Sequence, residues 1–153
     1  MSASPTAGLR VVEASLSDRD DWLALRTLLW PDSSDDHLGE IEAIRTSGEL
    51  ICVIARTADG QAVGFAEAAI RHDHVNGCDT SPVGFLEGIF VRLEARRLGV
   101  ARALVAATAD WARSMGCSEF ASDAALDNLE SHQMHNALGF AETQRVVYFR
   151  RKL

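Results

Sequence analysis

FLEGIFVRLEARRLGVA, residues Phe85 to Ala101, decides the fold. Its first half brings together Phe85, Leu86, Ile89, Phe90 and Val91, the apolar and β-branched content of a buried strand. Its second half, Arg96-Arg97-Leu98-Gly99-Val100-Ala101, opens an amphipathic helix. A helix N-terminus offers unpaired N–H groups and the positive end of the dipole. A strand running into such a start suits a pyrophosphate, with Gly99 and Ala101 leaving room for close approach and Arg96, Arg97 and Arg102 adding charge. The R-x-x-G-x-A run is short, however, and ordinary strand-to-helix turns carry it too.

Working outward, Leu9 to Ala14 reads as a short strand, and Ser17-Asp18-Arg19-Asp20 as a capping box for a helix that reaches about Trp30, where Pro31 stops it. A second helix starts at Asp35 or Asp36 and ends before Gly48. Leu50–Arg56 and Ala62–Ile70 form a hairpin around Asp59-Gly60, followed by a polar loop over 71–82. After the helix that follows Phe85–Val91, which runs to about Met115, come a strand Glu119–Ser122, a helix Asn128–Leu138 and a closing strand Arg145–Arg151. Strand, crossover helix and strand from Phe85 through Ser122 make a parallel right-handed unit, and the hairpins make the rest antiparallel. The expected class is α/β (α+β), a mixed sheet flanked by helices, in one domain spanning 1–153 without repeat or linker.

Composition agrees. The chain has 153 residues, 47% hydrophobic and 24% charged, enough for a real core. No apolar run approaches the ~20 residues of a membrane span, and Met1 to Leu9 lacks the apolar region of a signal peptide, so a cytoplasmic address is expected. Cys52, Cys78 and Cys117 are odd in number and lack metal-type spacing, as reduced thiols do. A net charge of −7 argues against nucleic acid as a partner and for a cationic one. Asp32, Asp35, Asp36, Glu40 and Glu42 gather after Trp30-Pro31, whereas Arg92, Arg96, Arg97 and Arg102 gather around Gly99. One end seeks cations and the other anions, although acidic clusters are also ordinary solvated helix faces. His72-x-His74 and Cys78 are zinc-ligand types but lack a paired Cys-x-x-Cys, and no metal is expected.

A second element lies downstream of the first, Asn128-Leu129-Glu130-Ser131-His132-Gln133-Met134-His135-Asn136-Ala137-Leu138-Gly139-Phe140. In this order the two resemble the GNAT acetyltransferases over most of the chain. Trp30-Pro31, Arg71 to Asp79, Leu86 to Val91 and Ala121-Ser122-Asp123 are similar to the short, dimeric branch of the aminoglycoside 6′-N-acetyltransferases. The resemblance implies a sheet whose two central parallel strands splay apart, with the thioester of acetyl-CoA in the cleft between Glu87–Val91 and Phe120–Asp123. It implies that Arg97 to Arg102 contact the pyrophosphate and that Asn128 reaches the pantetheine or the entering helix. It also implies an oxyanion donor among the main-chain N–H groups of Ile89, Phe90 and Val91, and a homodimer, with exchanged C-terminal strands as one form.

Direct transfer needs a neutral amine, and an aliphatic amine near the lysine value of ~10.4 is protonated at neutral pH. Asp123 at a strand end and Glu87 inside an apolar strand are the candidates to take the proton, directly or through water. Either can instead only hold substrate cations, because a carboxylate beside an ammonium is a poorer base. A carboxylate at Glu87 would cost several kcal/mol if buried unpaired, which favours function there; Asp123 is also an ordinary capping type. His135 stands where many members carry a tyrosine that protonates the departing thiolate. It is a candidate acid or a packing residue, and Tyr148 is structural in the closing strand. The resemblance places Trp30, His74, Glu87, Asp123 and Gln144 around the acceptor, with Glu142 able to replace a charge that Gln144 lacks. Acceptors other than aminoglycosides, namely a polyamine or a peptide N-terminus, and a non-enzymatic CoA-binding sensor are the alternatives.

Overall fold

The computed structural model describes residues 7–32 and 36–153. Strands β1 (Arg10–Glu13), β2 (Leu50–Arg56), β3 (Ala62–Arg71), β4 (Val83–Val91) and β5 (Phe120–Ser122) form one sheet in that order. The first four pair antiparallel, and β4 with β5 parallel. Helices α1 (Arg19–Leu29), α2 (His37–Thr46), α3 (Val100–Ser114) and α4 (Leu129–Ala137) complete it. The mixed sheet with a single parallel pair is the α/β arrangement expected. No helix among the described residues is long and apolar enough to cross a membrane.

Helices cover both faces of the sheet, which explains why β2 and β3 read as continuous apolar runs rather than as alternating ones. Ile51, Val53 and Ala55 pack with Val100, Leu104 and Val105 of α3. Cys52, Ile54 and Phe65 pack on the other face with Trp22, Leu25 and Ile41 of α1 and α2. Gly84 is where α3 and β5 come closest: a Cβ there would lie 2.6 Å from the Ala112 side chain and 2.9 Å from the Phe120 ring.

Three local expectations are corrected. The box that precedes α1 lies two residues earlier than expected: the Ser15 N–H donates to the Asp18 carboxylate at 2.9 Å and the Ser15 hydroxyl to it at 3.1 Å. The helix expected from Arg96 begins at Val100, because Arg97 (φ +64°) and Gly99 (φ +83°) both turn left-handed and hold the chain in a turn. The closing strand Arg145–Arg151 joins no ladder. Val147, Tyr148 and Phe149 are 76, 83 and 92% exposed, because strand propensity sets the local backbone but a ladder also needs a neighbour. Tyr148 is therefore not a structural core residue of this chain. For α2, Asp35 lies outside the described residues, while Asp36 caps the helix by accepting from the Gly39 N–H at 2.9 Å.

Asp18 also accepts from Arg56 Nη2 at 2.6 Å. Burial alone would raise its carboxyl, but the Ser15 N–H and the Arg56 guanidinium bind the anion and bring it below its usual 3.8. A depressed carboxyl stabilises the fold above its unfolded value and ceases to as pH falls through the folded one. Stability should therefore decline as pH drops below 3.8. Urea titrations should find Asp18→Ala roughly 1–2 kcal/mol less stable at pH 7, with a correspondingly flatter acid limb.

Candidate active site

The parallel ladder has three rungs, Gly84↔Phe120, Phe85↔Ala121 and Leu86↔Ser122. β4 continues to Val91 with that edge open. On its other side Gly88 faces Glu67 and Leu86 faces Ala68, so Glu87 is an extra residue, a β-bulge. Beyond the last parallel rung, the next residues on the two strands are Glu87 and Asp123, which flank the mouth of the split. Arg92 N–H donates to Val63 C=O at 2.8 Å. Strand alternation turns the Phe90 N–H the same way and the N–H groups of Ile89 and Val91 toward the open edge. Of the three donors expected, Phe90 is thus directed at β3, and Ile89 and Val91 remain.

The bulge corrects the burial expected at Glu87. Its carboxylate is outside, paired with Arg71 Nη2 at 2.8 Å, because the extra residue re-aims the side chain. The carboxylate buried within the central strands is Glu67, 5% exposed. It accepts from Trp22 Nε1 at 2.9 Å and, through Oε2, from Arg26 Nη1 at 2.6 Å. Arg26, itself buried, also pairs with Glu40 and donates from Nε to His37 Nδ1 at 3.1 Å. Sequence reasoning missed both residues. Glu67 is the one charge in the apolar run Ala62–Ile70, and Arg26 falls on the apolar face set by Trp22, Leu25 and Leu29, which were usable signals.

Trp30 ends α1 ahead of Pro31 and lays its indole on Gly88, where a Cβ would meet Cζ2 at 2.6 Å. The ring stands edge-on to Phe65, centroids 6.1 Å apart, and the Arg26 guanidinium lies 4.8 Å over it. Arg26, Leu29, Trp30 and Pro31 line a cleft of about 630 Å³ with Asp32, Glu40, Glu67 and Glu87. Trp30 and Glu87 of the expected acceptor set line it; His74, Asp123, Glu142 and Gln144 do not. His74 is exposed in the 71–82 loop. The C-terminal segment approaches that loop through Thr143, which packs on Gly77, so Glu142 and Gln144 belong to this second neighbourhood. Arg145 binds Glu142 and holds its carboxyl below the usual range.

His135 is tied to the split. Its Nδ1 lies 2.7 Å from Ser131 C=O, which requires the proton on that nitrogen, and its Nε2 lies 2.7 Å from Ser122 Oγ. Ser122 Oγ in turn donates to Leu86 C=O at 3.3 Å. The chain thus ends on the last parallel rung. Asn128 caps α4, accepting from the Ser131 N–H at 3.1 Å.

At the opposite end, α3 starts without a side-chain cap and without an acidic residue in its first turn. Arg96 donates from Nε to Val91 C=O at 3.0 Å, and Arg102 from Nη2 to Ala137 C=O at 3.2 Å. Leu98 packs toward the α3 core, and Ala101 is small beside Gly99 and Val100. Unclaimed first-turn N–H groups behind two left-handed residues, with Arg96, Arg97 and Arg102 around them, fit a diphosphate. His72 of the discounted metal group pairs with Glu49 at 2.7 Å. Burial pushes the Cys52 thiol well up, with the Glu67 charge adding to it, so it is no nucleophile.

The sequence matches the family model of the acetyltransferase (GNAT) family over residues 19–140. The chain belongs to this family. This GNAT acetyltransferase is 52% identical over 145 residues to an aminoglycoside N(6′)-acetyltransferase type 1 of Acinetobacter baumannii, across 95% of its own length and 99% of the relative's. It is similar, with a TM-score of 0.91 and 52% identity, to the crystal structure of an aminoglycoside antibiotic 6′-N-acetyltransferase from Acinetobacter baumannii, covering 95% and 99% of the two chains. Against AAC(6′)-Iy in complex with the bisubstrate analog CoA-S-monomethyl-acetylneamine, the TM-score is 0.90 at 46% identity, with 95% and 99% covered.

Because the Trp30 indole rests on Gly88, Gly88→Ala should lift the ring off β4 in a chain that still folds. The expected outcome is a fall in kcat/KM for the amine acceptor of about ten- to a hundredfold, with KM for acetyl-CoA held and the melting temperature little changed. Steady-state kinetics in both substrates would check it.

Proposed function

We propose that this acetyltransferase transfers the acetyl group of acetyl-CoA to the 6′-amine of aminoglycoside antibiotics by direct attack, and so confers resistance to them. The observation that carries the proposal is the pairing of two oppositely charged ends along one open strand edge. One is the carboxylate-ringed, indole-walled cleft of Asp32, Glu40, Glu67, Glu87 and Trp30; the other is the uncapped, arginine-flanked start of α3. A polycationic amino sugar suits the first and a diphosphate the second. The relatives named above are aminoglycoside 6′-acetyltransferases.

In this scheme the turn from Arg96 to Gly99 and the first turn of α3, Val100 to Arg102, hold the pyrophosphate of acetyl-CoA. The thioester carbonyl accepts from the Val91 or Ile89 N–H, which also receives the oxyanion as the amine attacks. Glu87 and Asp123, on either side of the split, bind the acceptor's ammonium groups and remove a proton to leave the attacking nitrogen neutral. His135, when it carries a proton on both ring nitrogens, passes the Nε2 proton to Ser122 Oγ as the Ser122 hydroxyl gives its own to the departing thiolate; the thiol value of ~8.5 makes this assistance small. His74, Glu142 and Gln144 form an outer wall for the distal rings.

The enzyme acts as one domain in the cytoplasm, as its free cysteines suit, and as a homodimer. The apolar segment Val146 to Phe149, which has no partner strand in its own chain, supports exchange with a second copy.

Two measurements test this reading. Thiol release from acetyl-CoA should be seen with kanamycin or tobramycin and should vanish with an analogue bearing a hydroxyl at the 6′ position. Glu87→Gln and Asp123→Asn should each lower kcat/KM by about 10²-fold or more. Stronger turnover of polyamines or peptides would transfer the role to those acceptors. Light scattering should give twice the 16.6 kDa chain mass, and a monomer would refute the exchange.

A further inference from the structure

Arg71 is the last residue of β3, and it closes on Glu87 through Nε at 3.2 Å and Nη2 at 2.8 and 3.0 Å, so one guanidinium engages both carboxylate oxygens. Its carbon lies 3.5 Å from the centroid of the Phe85 ring, which holds the fork over β4. The pair is not a buried brace. The two side chains are 42% and 37% exposed, and such pairs contribute little to folding. Arg26, by contrast, meets Glu67 inside the protein. Glu87 is therefore the cleft carboxylate whose counter-ion comes from a solvent-facing, displaceable side chain.

We propose that Arg71 is a tethered competitor for the acceptor: its guanidinium occupies the place on Glu87 that a substrate ammonium takes, and each binding event displaces it. This rests on the reading of Glu87 as a cation-binding carboxylate. Two cations of like sign compete for the same pair of oxygens, and the free enzyme is thereby spared an unpaired charge beside Gly88 and Trp30. An acceptor that gains a single ion pair at Glu87 only replaces one that existed. A polycation gains further pairs at Asp32 and at the open oxygen of the exposed Glu40 for the same displacement. The tether thus sets a threshold of charge below which acceptors bind poorly.

The test uses the intact protein with Arg71→Met, which keeps an apolar stem over Phe85 and removes the cation, beside Arg71→Lys, which keeps a cation. KM for kanamycin should fall about two- to fivefold in Arg71→Met, with kcat within a factor of two, and stay near the parent value in Arg71→Lys. Adding Arg71→Met to Glu87→Gln should produce no such fall, because the competition has lost its object. Calorimetric binding of kanamycin without acetyl-CoA gives the same comparison free of turnover. A KM that holds or rises in Arg71→Met while Glu87→Gln is impaired overturns the competitor role alone and makes Arg71 a brace. Unchanged kanamycin binding in Glu87→Gln instead overturns the reading of Glu87, and the inference with it.

Discussion

One surplus residue in β4 governs the site. Two strands that have begun a parallel ladder normally continue it, since each further rung satisfies main-chain groups that are otherwise costly to leave unpaired. Here Glu87 has no opposite number on β3, the strand twists at that point, and β5 is lost after Leu86↔Ser122. The N–H groups of Ile89 and Val91 are left facing an opening inside the sheet rather than a neighbour. Gly88, next to the bulge, completes the arrangement, because only a residue without a side chain lets the Trp30 indole lie on the strand. Backbone donors, a carboxylate and an aromatic wall thus all descend from a single local mismatch.

Charge follows the same division. A carboxylate as buried as Glu67 is unfavourable unless a partner is buried with it, and Arg26 is that partner, reaching Glu40 and His37 with its remaining donors. Such a cluster adds little net stability relative to an apolar core. What it secures is position: it fixes α1 and α2 against β3 and leaves a surplus of negative charge on the cleft wall. At the other end of β4 no acidic residue enters the first turn of α3, so the helix dipole acts together with Arg97, Arg102 and Arg96, although Arg96 also reaches Glu130 at 3.4 Å. Opposite fields at the two mouths of one split orient two substrates of opposite charge before any contact specific to either is made.

Much of this was legible in the sequence, and the misses share a cause. The order of strands and helices, the parallel unit from Phe85 to Ser122 and the importance of Gly99 follow from periodicity and turn residues, which are local. Glu87 and Asp123 were singled out by type and position, and the fold sets them on either side of the split. The cost of a lone carboxylate in an apolar strand, expected at Glu87, falls one strand earlier. It is borne by Glu67, while Glu87 is turned out by a bulge that arises from the pairing of two distant segments and has no local signature beyond Gly88. Arg26 was hidden by the same distance: an arginine on an apolar helix face looks like a break in the pattern until the carboxylate it meets, 41 positions along the chain, is known.

The segment after Phe140 marks where local propensity stops being informative. Val146-Val147-Tyr148-Phe149 is as strand-prone as any run in the chain, and its expected ladder is nevertheless absent. A strand is a relation between two segments, and β5, only three residues long, offers this one no register. Exposed β-branched and aromatic residues in a row are a poor endpoint for a chain in water, since each buried large side chain is worth about 1.5–3 kcal/mol. In the proposed homodimer a second copy presenting the same segment and the same open edge would satisfy both needs by symmetry, with each chain supplying what the other lacks. Because Thr143 already packs on Gly77, three residues from His74, an exchange beginning just beyond it would order the proposed outer wall of the acceptor site along with the interface. Assembly and substrate recognition would then be coupled through residues 141–149.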